Sequence, residues 1–358
     1  MPESMQAVVC HGPEDYRLEE VSRPEPGPGE ALVRVEACGI CASDLKCFHG
    51  AAKFWGDGNG RAAWAETEVI PGHEFVGEIV EIDLQVAEQR GLDVGDRVVS
   101  EQIVPCWKCR YCLRGQYWMC APHSMYGFKR ANPGGMAQFM TYPVESLVYK
   151  ISSDLPAAHA AFAEPLSCAL HAVERADIAF EDVVVIAGCG PIGLGMIAGA
   201  KAKGPAHVVA LDAVQSKLEL ALVCGADTVV NIREEDPVAI VRGLTEGYGA
   251  DVYIEGTGHP SGVAQGLDLL RKLGTFVEYS VFGEDVKVDW SIISDDKELD
   301  VRGAHLGPHC WPAAIAMIES GRLPMERIVT HQLPLAEFRD GLDLVADGQS
   351  SIKVSLIP

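Results

Sequence analysis

From Met5 to about Ser152 the chain alternates short apolar and polar runs, "ALVRVEACGI", "EFVGEIVEI", "DRVVS" and "AQFMTYP", broken by Gly and Pro. Period-two alternation over such lengths predicts half-buried β-strands joined by turns. From about His159 the pattern changes to near-continuous apolar runs, "VVVIAG", "HVVALD", "DTVVNI", "DVYIEGTG" and "TFVEYSV", separated by segments of helical period such as "SKLELALVCGA" and "PVAIVRGLTEGYGA". Strands buried on both faces and joined through helices predict a parallel sheet built from βαβ units. After about Asp300 come "RGAHLG", a helical pattern near Trp311 to Ser320, another near Leu335 to Asp347 and a final strand "SIKVSLI". The succession predicts a discontinuous first domain, residues 1–157 and 300–358, whose tail packs back onto it, and a second domain of residues 158–299.

With 358 residues the chain is long enough for two cores of ordinary size. A formal net charge of −22 repels phosphate backbones and anionic lipid surfaces, and the Lys and Arg residues form no local basic patch. Nucleic-acid and membrane partners are therefore not expected. The uncharged stretch Val183 to Ala200 nearly reaches spanning length, but Pro191 and its many glycines predict a strand, a turn and a buried helix instead. The start, "MPESMQAVVCHGPEDYRLEE", lacks a basic segment followed by an apolar one, so a cytoplasmic protein is expected. In that compartment twelve cysteines are metal ligands or buried thiols and not disulfides.

Spacing separates those two roles. "CWKCRYCLRGQYWMC" supplies Cys106, Cys109, Cys112 and Cys120 on a polar segment with Lys108, Arg110, Arg114 and Gln116. Two-residue gaps let a tight turn aim successive sulfurs at one point, and four thiolates complete the closed tetrahedral site of structural zinc. The spacing alone leaves an iron–sulfur cluster open. "VVVIAGCGPIGLG" places Gly188, Gly190 and Gly193 as G-x-G-x-x-G after a strand and at the opening of a helix. The first glycine makes the turn, the second admits a pyrophosphate and the third lets helix and strand pack. The next strand ends in Asp212, at the distance expected of a carboxylate for the adenine ribose hydroxyls, and Ala213 and Val214 follow where a phosphate binder would want Arg. NAD is expected over NADP. Pro191 and Ile192 in the loop, with Lys217, Thr257 and Val281 beyond it, complete the candidate cofactor residues.

Three distant segments carry the remaining chemistry: "CGICASD" with Cys38 and Cys41, "GHE" with His73 and Glu74, and "FAEPLSCALHA" with Glu164. Cys, His and Glu gathered from distant segments are how an open catalytic zinc site is assembled. These motifs, in this order and over essentially the whole chain, resemble the zinc-dependent medium-chain dehydrogenases, and within them the sorbitol and threonine dehydrogenase branch. The resemblance implies an α/β protein with a GroES-like, mostly β catalytic domain and a Rossmann domain whose parallel sheet is doubly wound. It implies two zinc ions and NAD, with Cys41, His73, Glu74 and Glu164 around the catalytic zinc; either carboxylate is a candidate direct ligand, and Cys168 is a further candidate. Cys38 would be a buried thiol. Zinc in an open site acidifies an alcohol, which can then release hydride to the nicotinamide; Ser43 would pass the proton outward. Lys46 stands where many relatives end that relay with a histidine.

The resemblance further implies a dimer or tetramer through the cofactor domains and a small neutral sugar alcohol as substrate, four-carbon erythritol or threitol giving erythrulose, with sorbitol, xylitol or butanediol as alternatives. Phe48, His49, Phe54, Trp55 and Trp64 are expected to cap a small pocket, and Lys53, Asp57 and Asn59 to bind hydroxyls. A non-catalytic zinc- and NAD-binding relative and a zinc-free quinone reductase are the readings weighed against these; retention of Cys41, His73 and Glu164 opposes the first, and the cysteine lobe opposes the second.

Overall fold

The computed structural model describes residues 3–58 and 60–358. The first stretch forms β1 (Ser4–Gly12), β2 (Asp15–Ser22), β3 (Ala31–Ile40), β4 (Glu74–Ile82), β5 (Arg97–Ser100), β6 (Phe139–Tyr142) and β7 (Val148–Lys150). Strands β8 (Val183–Ala187), β9 (His207–Asp212), β10 (Thr228–Asn231), β11 (Ala250–Glu255), β12 (Leu270–Glu278) and β13 (Asp300–Gly303) follow, and then β14 (Val329–Pro334) and β15 (Lys353–Ile357). The period-two runs and the continuous apolar runs therefore become the two kinds of strand expected of them.

Two compact units result, one of Met1–Glu164, Trp311–Glu319 and Ile328–Pro358, the other of Pro165–Cys310 and Ser320–Arg327. The expected break before residue 300 is displaced. β13 pairs in parallel with β12, Asp300 opposite Thr275 and Gly303 opposite Glu278, so its backbone hydrogen bonds belong to the second unit. Residues 158–164 stay with the first unit, and 320–327 return to the second.

In the first unit β1 and β2 make an antiparallel pair, and a mostly antiparallel sheet runs β14-β15-β3-β4-β5-β7, with β6 also paired to β3. Its core packs Val33, Phe75, Ile79, Tyr126, Tyr142 and Leu356. The last strand lies against β3, Val354 opposite Ile40 and Ser355 opposite Gly39. On the other side of β3, Glu74 at the start of β4 also faces Gly39. A Cβ at residue 39 would run into the carboxylate of Glu74 and the Cε of Lys353. The glycine thus leaves room for Glu74 and Lys353, 1% and 4% exposed, to form an ion pair across it.

The second unit's sheet is parallel throughout, in the order β10-β9-β8-β11-β12-β13. Counted from its own first strand this is 3-2-1-4-5-6, the Rossmann order, in which the direction of winding reverses between strands 1 and 4. Its core holds Val185, Val209, Leu211, Tyr253 and Phe276. The uncharged stretch 183–200 divides into β8, the glycine turn and a helix, Pro191–Lys203. Among the described residues no helix is long and apolar enough to cross a membrane. All twelve cysteines are free thiols.

Removing one member of a buried ion pair leaves an uncompensated charge, which costs about 3–5 kcal/mol. Lys353→Met is expected to lower the unfolding free energy of the first unit by that amount, and its urea midpoint by that loss divided by the slope; an unchanged midpoint and slope would show that the pair does not hold the last strand in place.

Candidate active site

The Gly-His-Glu triplet is a turn that delivers two side chains to one place. Gly72 has φ +95°, and a Cβ there would lie 2.6 Å from Cys38 Sγ and 2.8 Å from Met136 Cγ. Both the backbone angle and the crowding demand glycine. His73 and Glu74 then open β4 beside the end of β3, where Cys41 precedes the helix Ala42–Phe48. One ligand atom each from Cys41, His73 and Glu74 lies within 4.8 Å of the others.

Asp44, in the first turn of that helix, organises the group. Its Oδ2 accepts from the Cys41 backbone N–H at 2.9 Å, and its Oδ1 lies 3.3 Å from His73 Nδ1. Burial opposes a charge on His73, but the Asp44 carboxylate outweighs it and holds the imidazole above its usual value. With Nδ1 turned to a carboxylate, Nε2 is the atom left for a metal, the arrangement in which second carboxylates fix zinc-bound histidines. Ser43 Oγ lies 3.4 Å from that Nε2. Lys353 Nζ pairs with Glu74 and donates to Ile40 O at 2.9 Å. Burial disfavours its charge, and Glu74 with Cys41 overcomes this and keeps the ammonium above lysine's ordinary value.

Glu164 and Cys168 do not join the three-residue group. Glu164 is buried and its Oε1 accepts from Gln102 Nε2 at 2.5 Å. Lys46 sits in the last turn of the helix that carries Ser43. Asp44, Lys353 and Gln102 were not singled out from the sequence. The Ser-Asp pair was the available signal for Asp44, whereas nothing local marks Lys353 or Gln102.

The expected aromatic cap divides. Phe54 and Trp64 pack on Phe128, with ring centroids 5.5 and 5.1 Å away, and Phe128 lies 5.3 Å from the His73 ring. Phe48 instead packs on Tyr16 in the core, Trp55 donates to Cys47 O at 2.7 Å, and His49 meets Glu14 at 2.6 Å. These three find partners at Tyr16, Cys47 and Glu14, which the alternation of the segment did not reveal. Asp57 Oδ1 accepts from Arg61 N within its own loop, Lys53 is exposed on the short helix Ala52–Trp55, and Asn59 lies outside the described residues.

Cys106, Cys109, Cys112 and Cys120 converge as one group. Cys109 Sγ is 3.5 Å from Cys112 Sγ and accepts from Ala121 N, while Cys120 Sγ accepts from Cys106 N. The N–H groups of Cys112 and Ala121 draw the Cys109 thiol down to about 6, near the range in which it supplies a thiolate. Four converging sulfurs with backbone donors on them fit a structural zinc.

In the second unit Gly188 has φ +91°, and a Cβ would lie 3.0 Å from Gly256 O; at Gly193 it would strike Gly188 O. At Gly190, the residue capping the helix Pro191–Lys203, a Cβ would meet nothing within 4 Å. Two glycines are thus required by the protein itself, and the third leaves open space at a helix N-terminus with Pro191 and Ile192, which fits a pyrophosphate. Asp212 accepts from Cys189 N at 2.7 Å and Val214 N at 2.8 Å, so it braces the loop and retains lone pairs for hydroxyls. Burial and then Asp212 push the Cys189 thiol up, and the charge of Lys217 works against them. Thr257 Cγ2 is 3.2 Å from a Cβ built on Gly188, and Val281 follows the end of β12. Glu255 and Glu278 face each other across β11 and β12; burial, and then Glu255, push Glu278 up to about 8.

Residues 27–153 match the family described as the alcohol dehydrogenase GroES-like domain, and residues 191–320 match zinc-binding dehydrogenase. The chain belongs to the zinc-binding dehydrogenases and is an oxidoreductase of that family. It is 72% identical to the erythritol/L-threitol dehydrogenase of Mycolicibacterium smegmatis, covering 100% of this chain and 99% of that one. It is 33% identical to the L-threonine 3-dehydrogenase of Pyrococcus furiosus over 100% of both chains. Among solved structures, a zinc-binding dehydrogenase of Sinorhizobium meliloti bound to NADP matches with TM-score 0.87 and 29% identity over 100% of both chains. The 2R,3R-butanediol dehydrogenase of Bacillus subtilis matches with TM-score 0.83 and 28% identity over 99% of both.

The two ligand groups share no residue, so a metal-saturated preparation is expected to hold two zinc ions per chain by elemental analysis. Cys112→Ser should lose one and unfold at lower temperature, whereas Asp44→Asn should keep the lobe metal and weaken the other about 10- to 100-fold. A fully active wild-type preparation with one zinc would contradict this.

Proposed function

We propose that the chain oxidises a secondary hydroxyl of erythritol or L-threitol to the ketose erythrulose and passes hydride to NAD. The observation that carries the substrate is the 72% identity over the whole chain to an erythritol/L-threitol dehydrogenase. In this reading Cys41, His73 and Glu74 hold the reacting zinc, Glu164 accepts a hydrogen bond from a group beside it, and the four lobe cysteines hold the structural zinc.

Bound there, the zinc supplies the positive charge that acidifies an alcohol, and the dinucleotide supplies the hydride acceptor. Asp44 keeps the proton of His73 on Nδ1. Ser43 takes the hydroxyl proton and hands it outward; Lys46, one turn further along the helix, replaces an imidazole at the exit, so the proton leaves past an ammonium. The buried carboxylates Glu74 and Glu164 can accept hydrogen bonds from a second hydroxyl, which a thiolate would hold poorly. Phe54, Trp64 and Phe128 form an apolar wall beside His73 that suits a short polyol.

In the second unit the backbone of Gly188, Gly190, Pro191, Ile192 and Gly193 receives the pyrophosphate, Asp212 accepts the ribose hydroxyls, and Lys217, Thr257 and Val281 complete the surround. The Asp212 carboxylate would repel a 2′-phosphate, which favours NAD. The outer strand β13, with Val301 46% exposed, offers an unpaired sheet edge that a second copy can extend, so we place the oligomer contact there. Twelve cysteines without a disulfide among them suit the reducing cytoplasm.

Two measurements test this. With NAD, erythritol or threitol is expected to give faster NADH formation than sorbitol, xylitol, butanediol or simple primary alcohols; a higher kcat/KM for any of these would overturn the substrate. Asp212→Ala removes charge-assisted hydrogen bonds worth roughly 10- to 100-fold each, and should cut NAD use by that factor while NADP use rises. A wild-type enzyme that used both cofactors equally would contradict the role given to Asp212.

A further inference from the structure

From the last residue of β5 the chain buries three polar side chains in a row, Ser100, Glu101 and Gln102, each 1% exposed. Runs of fully buried polar residues are rare and persist where every member has a partner. The backbone here is pinned on both sides: Glu101 N donates to Leu147 O at 2.9 Å, and Gln102 O accepts from Tyr126 N at 3.0 Å. Ile103 adds a bridge to Met125. The segment has little freedom to move except as a unit.

Its two central side chains reach different places. Glu101 Oε1 accepts from Tyr117 Oη at 2.9 Å and from Tyr149 Oη at 2.8 Å. Tyr117 lies between Cys112 and Cys120 in the cysteine lobe and packs on Trp107, 5.7 Å between ring centroids. Tyr149 on β7 stacks on Trp311, 5.8 Å away with ring planes at 6°. Gln102 Nε2 donates to Glu164 Oε1. Adjacent residues therefore hold the cysteine lobe with one side chain and the carboxylate of Glu164 with the other.

The geometry points to Gln102 as a positioning residue for Glu164 and to Tyr117–Glu101–Gln102–Glu164 as a rigid link by which the folded cysteine lobe fixes that carboxylate beside the reacting metal. The inference rests on the place given to Glu164 in the proposed function. Emptying the lobe loosens Tyr117, Glu101 loses a donor, and the segment that carries Gln102 shifts with it. The structural metal then acts on turnover through a named path and not only through overall stability.

The test compares Glu164→Gln, Gln102→Met, Tyr117→Phe and the Tyr117→Phe/Gln102→Met double variant as zinc-loaded full chains. Two quantities are read: the rate at which a chelator withdraws the zinc held by Cys41, His73 and Glu74, and kcat and KM for erythritol separately. Gln102→Met should change zinc release and KM by about tenfold. Tyr117→Phe, which removes the hydroxyl that donates to Glu101, should move both in the same direction by about two- to fivefold, and the double variant should fall short of the product of the single effects. Gln102→Asn, which keeps the amide and shortens its reach, carries the same expectation should Gln102→Met not fold. If Glu164→Gln shifts both readouts while Gln102→Met stays within twofold of the parent, the inference is overturned. It is also overturned if Tyr117→Phe lowers the unfolding temperature and leaves both readouts unchanged, or if the two variants multiply independently. If Glu164→Gln itself changes neither quantity, the failure lies with the role proposed for Glu164.

Discussion

The buried pair of Glu74 and Lys353 ties the last strand of the first unit to the group around Cys41 and His73. A carboxylate at the start of β4 stands next to the thiol of Cys41 and the imidazole of His73, in a place with almost no access to water. Charges so placed persist only when paired and hydrogen-bonded. The partner comes from the last strand of the chain, 313 residues beyond the carbonyl of Ile40 that Lys353 also reaches. For the ammonium to arrive, β15 must lie beside β3, and β3 must carry no side chain at the crossing, which is why Gly39 stands there. The chain's return to its first unit and the local charge balance of the site are one requirement.

A second layer of constraint comes from side chains that do not meet a reacting group. Asp44 holds the Cys41 backbone and the His73 ring together, so that a cysteine at the end of one strand and a histidine at the start of the next present their donor atoms toward each other. In the second unit Asp212 braces the glycine turn through two backbone N–H groups before any ligand is considered. In both units a carboxylate first organises the local backbone, and its remaining lone pairs are what chemistry can use. The facing carboxyls Glu255 and Glu278 show the opposite case, where a like charge and burial favour a protonated group.

Much of this was legible in the chain because it depends on short-range geometry. The C-x-x-C-x-x-C spacing specifies a turn whose sulfurs converge whatever surrounds it. The G-x-G-x-x-G loop after an apolar strand specifies a turn and a helix N-terminus, and the structure adds which glycine each neighbour requires: Gly188 and Gly193 are crowded by the protein, and Gly190 faces open space. The aromatic segment after Cys41 was legible only in part. Phe54 and Trp64 do approach His73, by way of Phe128 from another part of the chain, but Phe48 turns into the core and Trp55 and His49 find partners at Cys47 and Glu14. Alternation along one segment cannot say which neighbours from elsewhere will take each side chain.

The sequence by itself therefore determined the elements, the two sheet types, the two cysteine and histidine groups and the family, since periodicity and close spacing are local properties of a polypeptide. Only the tertiary structure decided that β13 belongs to the parallel sheet and that Glu74 joins Cys41 and His73 while Glu164 is held by Gln102. It also decided that Lys353 is an interior charge. Those outcomes turn on strand register and on pairings between residues tens to hundreds of positions apart, where the free energy of burying a charge or a backbone group is settled by whichever partner the fold brings to it.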